Sequence, residues 1–193
     1  LAALDEIRAG MIVGLGTGST ASHFIRELGA RVRNGLSVAG IPTSEESRRL
    51  AEETGIPLTN FKEHPQIDVT VDGADEVSPA LDLIKGHGGA LVREKIVAHA
   101  SKRVVIVIDE TKLVDRLGAR IVIPVEVIPL AADRIILQLK IWGGDAQIRQ
   151  KDGRPFLSDN GNVILDWNHG AIEDPAALER QLKVTTGIVD SGI

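Results

Sequence analysis

Cysteine is absent from the 193 residues. That excludes disulfides, thiolate metal ligands and cysteine nucleophiles, and it fits a reducing compartment. No apolar run approaches the ~18–20 residues that a membrane span needs. Lysine and arginine (22) are outnumbered by aspartate and glutamate (27), so the net charge is −5. No basic block offsets this balance, and a DNA or RNA partner is not expected. His23, His64, His87, His99 and His169 are scattered without ligand spacing, which leaves no metal site to expect. No G-x-S-x-G motif is present for serine hydrolase chemistry. The opening "LAALDEIRAG" lacks an initiator methionine and reads as the end of an amphipathic helix, not as a signal peptide. With "GIVDSGI" stopping on a strand-like run, a chain shortened at both ends is expected.

What is present is an ordinary globular mixture, 43% hydrophobic and 25% charged. Its length suits one large domain, or a domain plus a smaller one. Residues 10–123 alternate β-branched runs with helical patterns. "MIVGLG", "LSVAGI", "IDVTVD" and "RVVIVID" read as strands, the last apolar enough for burial on both faces. "STASHFIRELGARV", "SEESRRLAEET" (closed by Gly55) and "GALVREKIVAHA" read as helices. This rhythm predicts an α/β fold with a parallel sheet flanked by helices, with ligands held at the carboxyl ends of the strands. From Val125 the rhythm changes. "VEVIPL" is a strand and "AADRIILQLKIW" a helix. "DAQIRQ" and "RPFLS" form a hairpin around "KDG", and "NVILDW" follows the turn "DNGN". A helix follows, capped by Asp174 with Pro175 at its first position, and then a strand. That order predicts a small ferredoxin-like α+β unit. The expected domains are therefore 1–124 and 125–193, with Trp142 and Trp167 as packing residues in the second.

Three loops at predicted strand ends carry the candidate chemistry. "GLGTGST", residues 14–20, joins a strand to a helix. Its glycines and the helix start offer backbone N–H groups to an anion, and Ser19 and Thr20 add hydroxyls. Ser19 stands where a dinucleotide fingerprint needs glycine, and no P-loop lysine follows. A tight turn capped by Ser19 is the plainer alternative. "VDGADEV" places Asp72, Asp75 and Glu76 together at the end of an apolar strand. "IKGHGGALVREK" brings Lys85, a loop of Gly86, His87, Gly88 and Gly89, and then Glu94 on the following helix. Glu94 and Lys95 would otherwise be solvated helix surface. "VIDETK" adds Asp109, Glu110 and Lys112, or only a capped turn. Glycine turns, lysines and carboxylates in this combination suit a small phosphorylated molecule that carries hydroxyls.

These motifs, with "PVEVIP", "DNGN-VILD" and "IEDPAALE", resemble the type A ribose-5-phosphate isomerases over essentially the whole chain. The resemblance implies interconversion of ribose 5-phosphate and ribulose 5-phosphate in the pentose phosphate pathway, with no metal or organic cofactor. It also implies a Rossmann-like parallel sheet flanked by helices as the main domain, a smaller ferredoxin-like domain, and a cytoplasmic homodimer or homotetramer. By the same resemblance Thr17, Gly18, Ser19 and Thr20 form one substrate loop. Asp72, Gly73, Ala74 and Asp75 form a second, its carboxylates holding sugar hydroxyls and assisting ring opening. Lys85, Gly86, His87 and Gly88 form the third, Glu94 is the general base, and Lys112 completes the site. His87 departs from the glycine that many members carry there. Family members also continue past Ile193, and some draw a phosphate-binding lysine from before Leu1. Other classes stay open: a sugar-phosphate-sensing module of a regulator, or an isomerase or deaminase acting on another sugar phosphate.

Overall fold

The computed structural model describes residues 2–193; Leu1 lies outside them. The chain forms β1 (Ile12–Leu15), α1 (Ser19–Arg33), β2 (Ala39–Pro42), α2 (Glu45–Thr54), β3 (Val69–Asp72), β4 (Glu76–Val77), β5 (Leu83–Ile84), α3 (Leu91–His99) and β6 (Val104–Ile106). It continues with β7 (Ile123–Val127), α4 (Ala132–Trp142), β8 (Asp145–Ile148), β9 (Gln150–Lys151), β10 (Arg154–Pro155), β11 (Val163–Asn168), α5 (Pro175–Lys183) and β12 (Ile188–Ser191). The opening residues form a short 3-10 turn, Ala2–Glu6, which buries Ala3 and Leu4.

Packing separates two compact units, Leu1–Gly73 with Arg93–Ile108, and Ala74–Val92 with Asp109–Ile193. The change of rhythm at Val125 marks a different line. Residues 74–92 and 109–124, read from the sequence with the first domain, pack in the second unit. Ile84, Val114, Leu117 and Ile123 belong to its core. Periodicity reports the type of an element, not the core that element joins.

In the first unit four parallel strands run in the order β2-β1-β3-β6. The order reverses at β1, so the carboxyl ends of β1 and β3 flank the crevice where open α/β sheets take ligands. Helix α1 turns Phe24, Ile25 and Leu28 into the core against Val13, Leu15 and Val71. Each such side chain contributes about 1.5–3 kcal/mol by leaving water. Helix α2 opens on a capping box: Ser44 Oγ accepts from Ser47 N, while Ser44 N donates to Ser47 Oγ, both at 3.0 Å. It closes on Gly55, which takes a left-handed conformation (φ 81°). Strand β6 differs from the expected doubly buried strand. It lies at the sheet edge and Val104 is 41% exposed, because only β3 pairs with it. A run of valines and isoleucines also suits an edge that packs on one face.

The second unit carries an antiparallel sheet, order β12-β7-β11-β8, with α4 and α5 as its crossovers. This is the expected ferredoxin-like sequence of elements. Asp152 and Gly153, both at positive φ (52° and 73°), make the turn between β9 and β10. Asp174 caps α5 by accepting from Ala177 N at 2.9 Å. Trp167 is fully buried, and its Nε1 donates to Gly143 O at 2.8 Å. The "DNGN" turn has a less obvious anchor. Glu126, 0% exposed, accepts on Oε1 from Ser158 Oγ (2.9 Å), Asn160 Nδ2 (3.1 Å) and Asn162 Nδ2 (2.8 Å). The β4–β5 hairpin was not foreseen, because two residues per strand show no periodicity. Among the described residues no helix is long and apolar enough to cross a membrane.

Asp68 fastens the start of β1, accepting from Ile12 N at 2.9 Å and pairing with Lys102 Nζ at 2.8 Å. The Lys102 hydrogen bond, then the Ile12 N–H, holds its carboxyl below the ordinary range. The folded pKa lies under the unfolded value, so this contribution is fully present above about pH 5 and fades as pH falls through the folded value. Asp68→Asn should therefore lower the urea midpoint at neutral pH, with the gap to the parent narrowing only below about pH 5. A gap that stayed constant down to about pH 3 would show that the ionised carboxylate is not the source.

Candidate active site

Backbone contact comes first in the loop after β1. A Cβ on Gly14 would sit 1.8 Å from Thr70 Oγ1, and one on Gly16 would sit 2.3 Å from Asp72 Oδ1. Both glycines therefore serve the approach of β3, not that of a ligand. Gly16 N donates to Val71 O at 3.0 Å. Thr17 N and Gly73 N then donate to Asp72 Oδ1, at 3.1 and 2.8 Å. Asp72 is 2% exposed, so its carboxylate is oriented by two backbone donors at the end of β3.

Thr17 is itself buried. Its Oγ1 lies 2.7 Å from Thr43 Oγ1 and 2.8 Å from Ser44 Oγ. The Thr17 hydroxyl is thus engaged by the β2–α2 loop, whose capping serine also starts α2. Gly18, at φ 97°, is the residue before α1 and makes no side-chain cap. Ser19 is not the cap either; it is exposed in the first turn, beside Thr20. The opening N–H groups of a helix lack intrahelical partners, and here no side chain caps them. An anion can be held there.

Glu94 is the largest departure from the surface reading. It is 4% exposed and lies in the first turn of α3, a turn earlier than expected because the helix starts at Leu91. Neighbouring Lys95 is half-buried. Glu94, Asp72 and the 17–20 loop all belong to the first unit.

The second unit holds Ala74, Asp75, residues 85–88 and Lys112. Asp75 N donates to Ile84 O at 2.8 Å, and Asp75 Oδ2 accepts from His87 N at 3.1 Å. The His87 N–H is therefore committed to Asp75. His87 is not at positive φ, so a side chain here costs no backbone strain. Its Nε2 reaches Val122 O at 3.1 Å. Gly86 does need its glycine: φ is 99° and a Cβ would lie 2.7 Å from Leu91 Cβ. Lys85 is placed by its backbone, whose N donates to Gly192 O at 2.8 Å. Lys112 is half-buried at the end of a 3-10 turn, Glu110–Lys112. Asp109 caps that turn, accepting from Thr111 N at 2.8 Å and from the Thr111 hydroxyl, and these bonds hold its carboxyl below the ordinary range. Asp109 is thus a turn cap.

Glu76 separates from the other carboxylates. It is 1% exposed and accepts from Gly118 N (2.6 Å) and Arg120 N (3.0 Å). It fastens the 117–121 loop and offers nothing to a ligand. Arg149, which the sequence gave no reason to single out, contacts the 85–88 loop and is itself paired with Asp166.

A family model described as ribose 5-phosphate isomerase A (phosphoriboisomerase A) matches residues 39–193. The ribose-5-phosphate isomerase A of Methanothermobacter thermautotrophicus is 50% identical over 196 residues, covering 100% of this chain and 86% of that protein. The Chloroflexus aurantiacus protein of the same name is 47% identical over 195 residues, covering 100% and 82%. A D-ribose-5-phosphate isomerase solved in complex with phospho-erythronic acid superposes with a TM-score of 0.96 at 41% identity, over 100% of this chain and 86% of that one. The ribose 5-phosphate isomerase A structure from Methanocaldococcus jannaschii gives 0.94 at 45% identity, over 99% and 86%.

Replacing Glu76 by alanine leaves two backbone donors unsatisfied, Gly118 N and Arg120 N. Unfolding free energy should fall by about 2–4 kcal/mol, read by urea denaturation, with Glu76→Gln losing less. Unchanged stability in the alanine variant would remove Glu76 from this role.

Proposed function

Since the chain belongs to the ribose 5-phosphate isomerase A family and interconverts ribose 5-phosphate and ribulose 5-phosphate in the pentose phosphate pathway, we propose that Glu94 is the base that carries the reaction. The observation behind this is the burial of its carboxylate in the first turn of α3. A base must be held against one face of the substrate, and a carboxylate packed into the first turn of a helix is fixed in place in that way.

The aldose–ketose exchange removes a proton from C2 and returns one to C1. One carboxylate on one face of the substrate can do both, through an enediolate. The developing oxyanion needs donors, and in this reading Lys85 and the N–H of Gly88 supply them. Asp72 and Asp75 take sugar hydroxyls and assist ring opening. Each is pre-oriented, Asp72 by Thr17 N and Gly73 N, and Asp75 by His87 N. Gly73 and Ala74 carry the backbone between them. The phosphate is taken by Ser19, Thr20 and the opening amides of α1, with Thr17 and Gly18 shaping that loop and Lys112 completing the site. Gly86 gives the lysine loop its left-handed turn.

Phospho-erythronic acid, bound in the solved relative, is a chemically sensible ligand for such a site. Its carboxylate resembles an enediolate in charge, and it is expected to compete with substrate here. The reading also carries a cytoplasmic homodimer or homotetramer that needs no metal or organic cofactor.

Glu94→Gln keeps the shape and removes the base. We expect kcat to fall by about 10²–10⁴-fold, with the affinity for phospho-erythronic acid kept and the circular dichroism spectrum unchanged. Turnover within a few-fold of the parent would assign the proton transfer to another group.

A further inference from the structure

Resting on the assignment of residues 85–88 to the substrate site, we propose that Arg149, held by Asp166, is the positioning residue of that loop. Arg149 follows β8, and its backbone is fixed on both sides. Its N donates to Ile164 O and its O accepts from Phe156 N, each at 2.8 Å. Its guanidinium is only 13% exposed. Nε donates to both oxygens of Asp166 at 3.1 Å, and Nη2 donates to Asp166 Oδ1 at 2.5 Å. This leaves Nη1 aimed at the loop, where it donates to Gly86 O (3.0 Å) and His87 O (2.9 Å). The same hairpin supplies Phe156, whose ring lies 2.5 Å from where a Cβ on Gly89 would be.

Those two carbonyls have a chemical consequence. The Gly86 carbonyl shares a peptide plane with the His87 N–H, and the His87 carbonyl shares one with the Gly88 N–H. In a trans peptide the N–H points opposite to its C=O, and among the described residues no peptide is cis. Arg149 therefore directs two successive N–H groups away from itself. One goes to Asp75 Oδ2, and the other is the Gly88 donor assigned above to the oxyanion. A cation at the carbonyl end also polarises each peptide and strengthens its N–H as a donor. Asp166 balances the charge, so the orientation comes without an added net charge beside an anionic substrate.

Lysine cannot replace this geometry. One ammonium can meet the carboxylate or the carbonyls, but it lacks the planar fork that reaches both. In Arg149→Lys, kcat should fall about 10–100-fold, the scale of a misplacement of about 1 Å, while KM changes by under about threefold. The amide resonances of His87 and Gly88 should shift in the ligand-free protein, and the melting temperature should stay close to the parent's. Asp166→Asn, which keeps the guanidinium but loosens it, should show the same split with a smaller loss, and it decides the question if Arg149→Lys does not fold. Lys85→Ala is measured alongside. If Lys85→Ala abolishes turnover while folded Arg149→Lys and Asp166→Asn keep parental kcat, the positioning role is overturned and the loop assignment stands. If Lys85→Ala keeps parental kcat and KM, the loop assignment itself fails and the positioning role falls with it.

Discussion

The first unit depends on the closeness of β3 to the chain leaving β1. Side chains on Gly14 or Gly16 would collide with Thr70 or Asp72, so that closeness exists only where both positions lack a Cβ. From it follows the capture of Asp72 by Thr17 N and Gly73 N, at the point where the strand order reverses. The loop then reaches sideways. Thr17 meets Thr43 and Ser44, so α2, α1 and the end of β3 share one hydrogen-bonded knot. The Asp72 carboxylate, the cap of α2 and the uncapped start of α1 are thereby set by one steric allowance.

In the second unit carboxylates fasten loops. Glu76 holds residues 117–121 by two backbone N–H groups, Glu126 holds the turn at residues 158–162, and Asp166 holds the arginine that holds the glycine loop. Each has several donors around a shielded carboxylate, which is how such a group tolerates leaving water. Asp75 follows the same pattern but is only half-buried, which leaves it accessible for binding. Several acidic residues of a net-negative chain thus act as internal fasteners.

Much of this was legible in the sequence, for physical reasons. Alternation and helical spacing report local backbone state, so β1, α1, α2, the hairpin turn at Asp152 and Gly153, and the cap at Asp174 were readable. The motif residues were also readable as a set. Burial of a single polar side chain was not. Glu94 sits in a stretch that looks like helix surface, and only tertiary packing hides it. Glu76 looked like the spare of an acidic cluster, yet its partners lie some forty residues away, at 42 and 44 positions. Arg149 is further still from the glycine loop, 62 and 63 positions from its acceptors, and no local pattern marks it. The edge position of β6 was illegible for a related reason: apolarity does not tell how many neighbours a strand has.

Lys85 lends its backbone N–H to Gly192, and Gly192 must be glycine because a Cβ would come within 2.1 Å of Lys85 O. A ribosome makes Lys85 early and Gly192 late. The backbone bond that seats Lys85 therefore forms only once the chain has been made through Gly192, while the β4–β5 pairing beside it needs only residues 76–84.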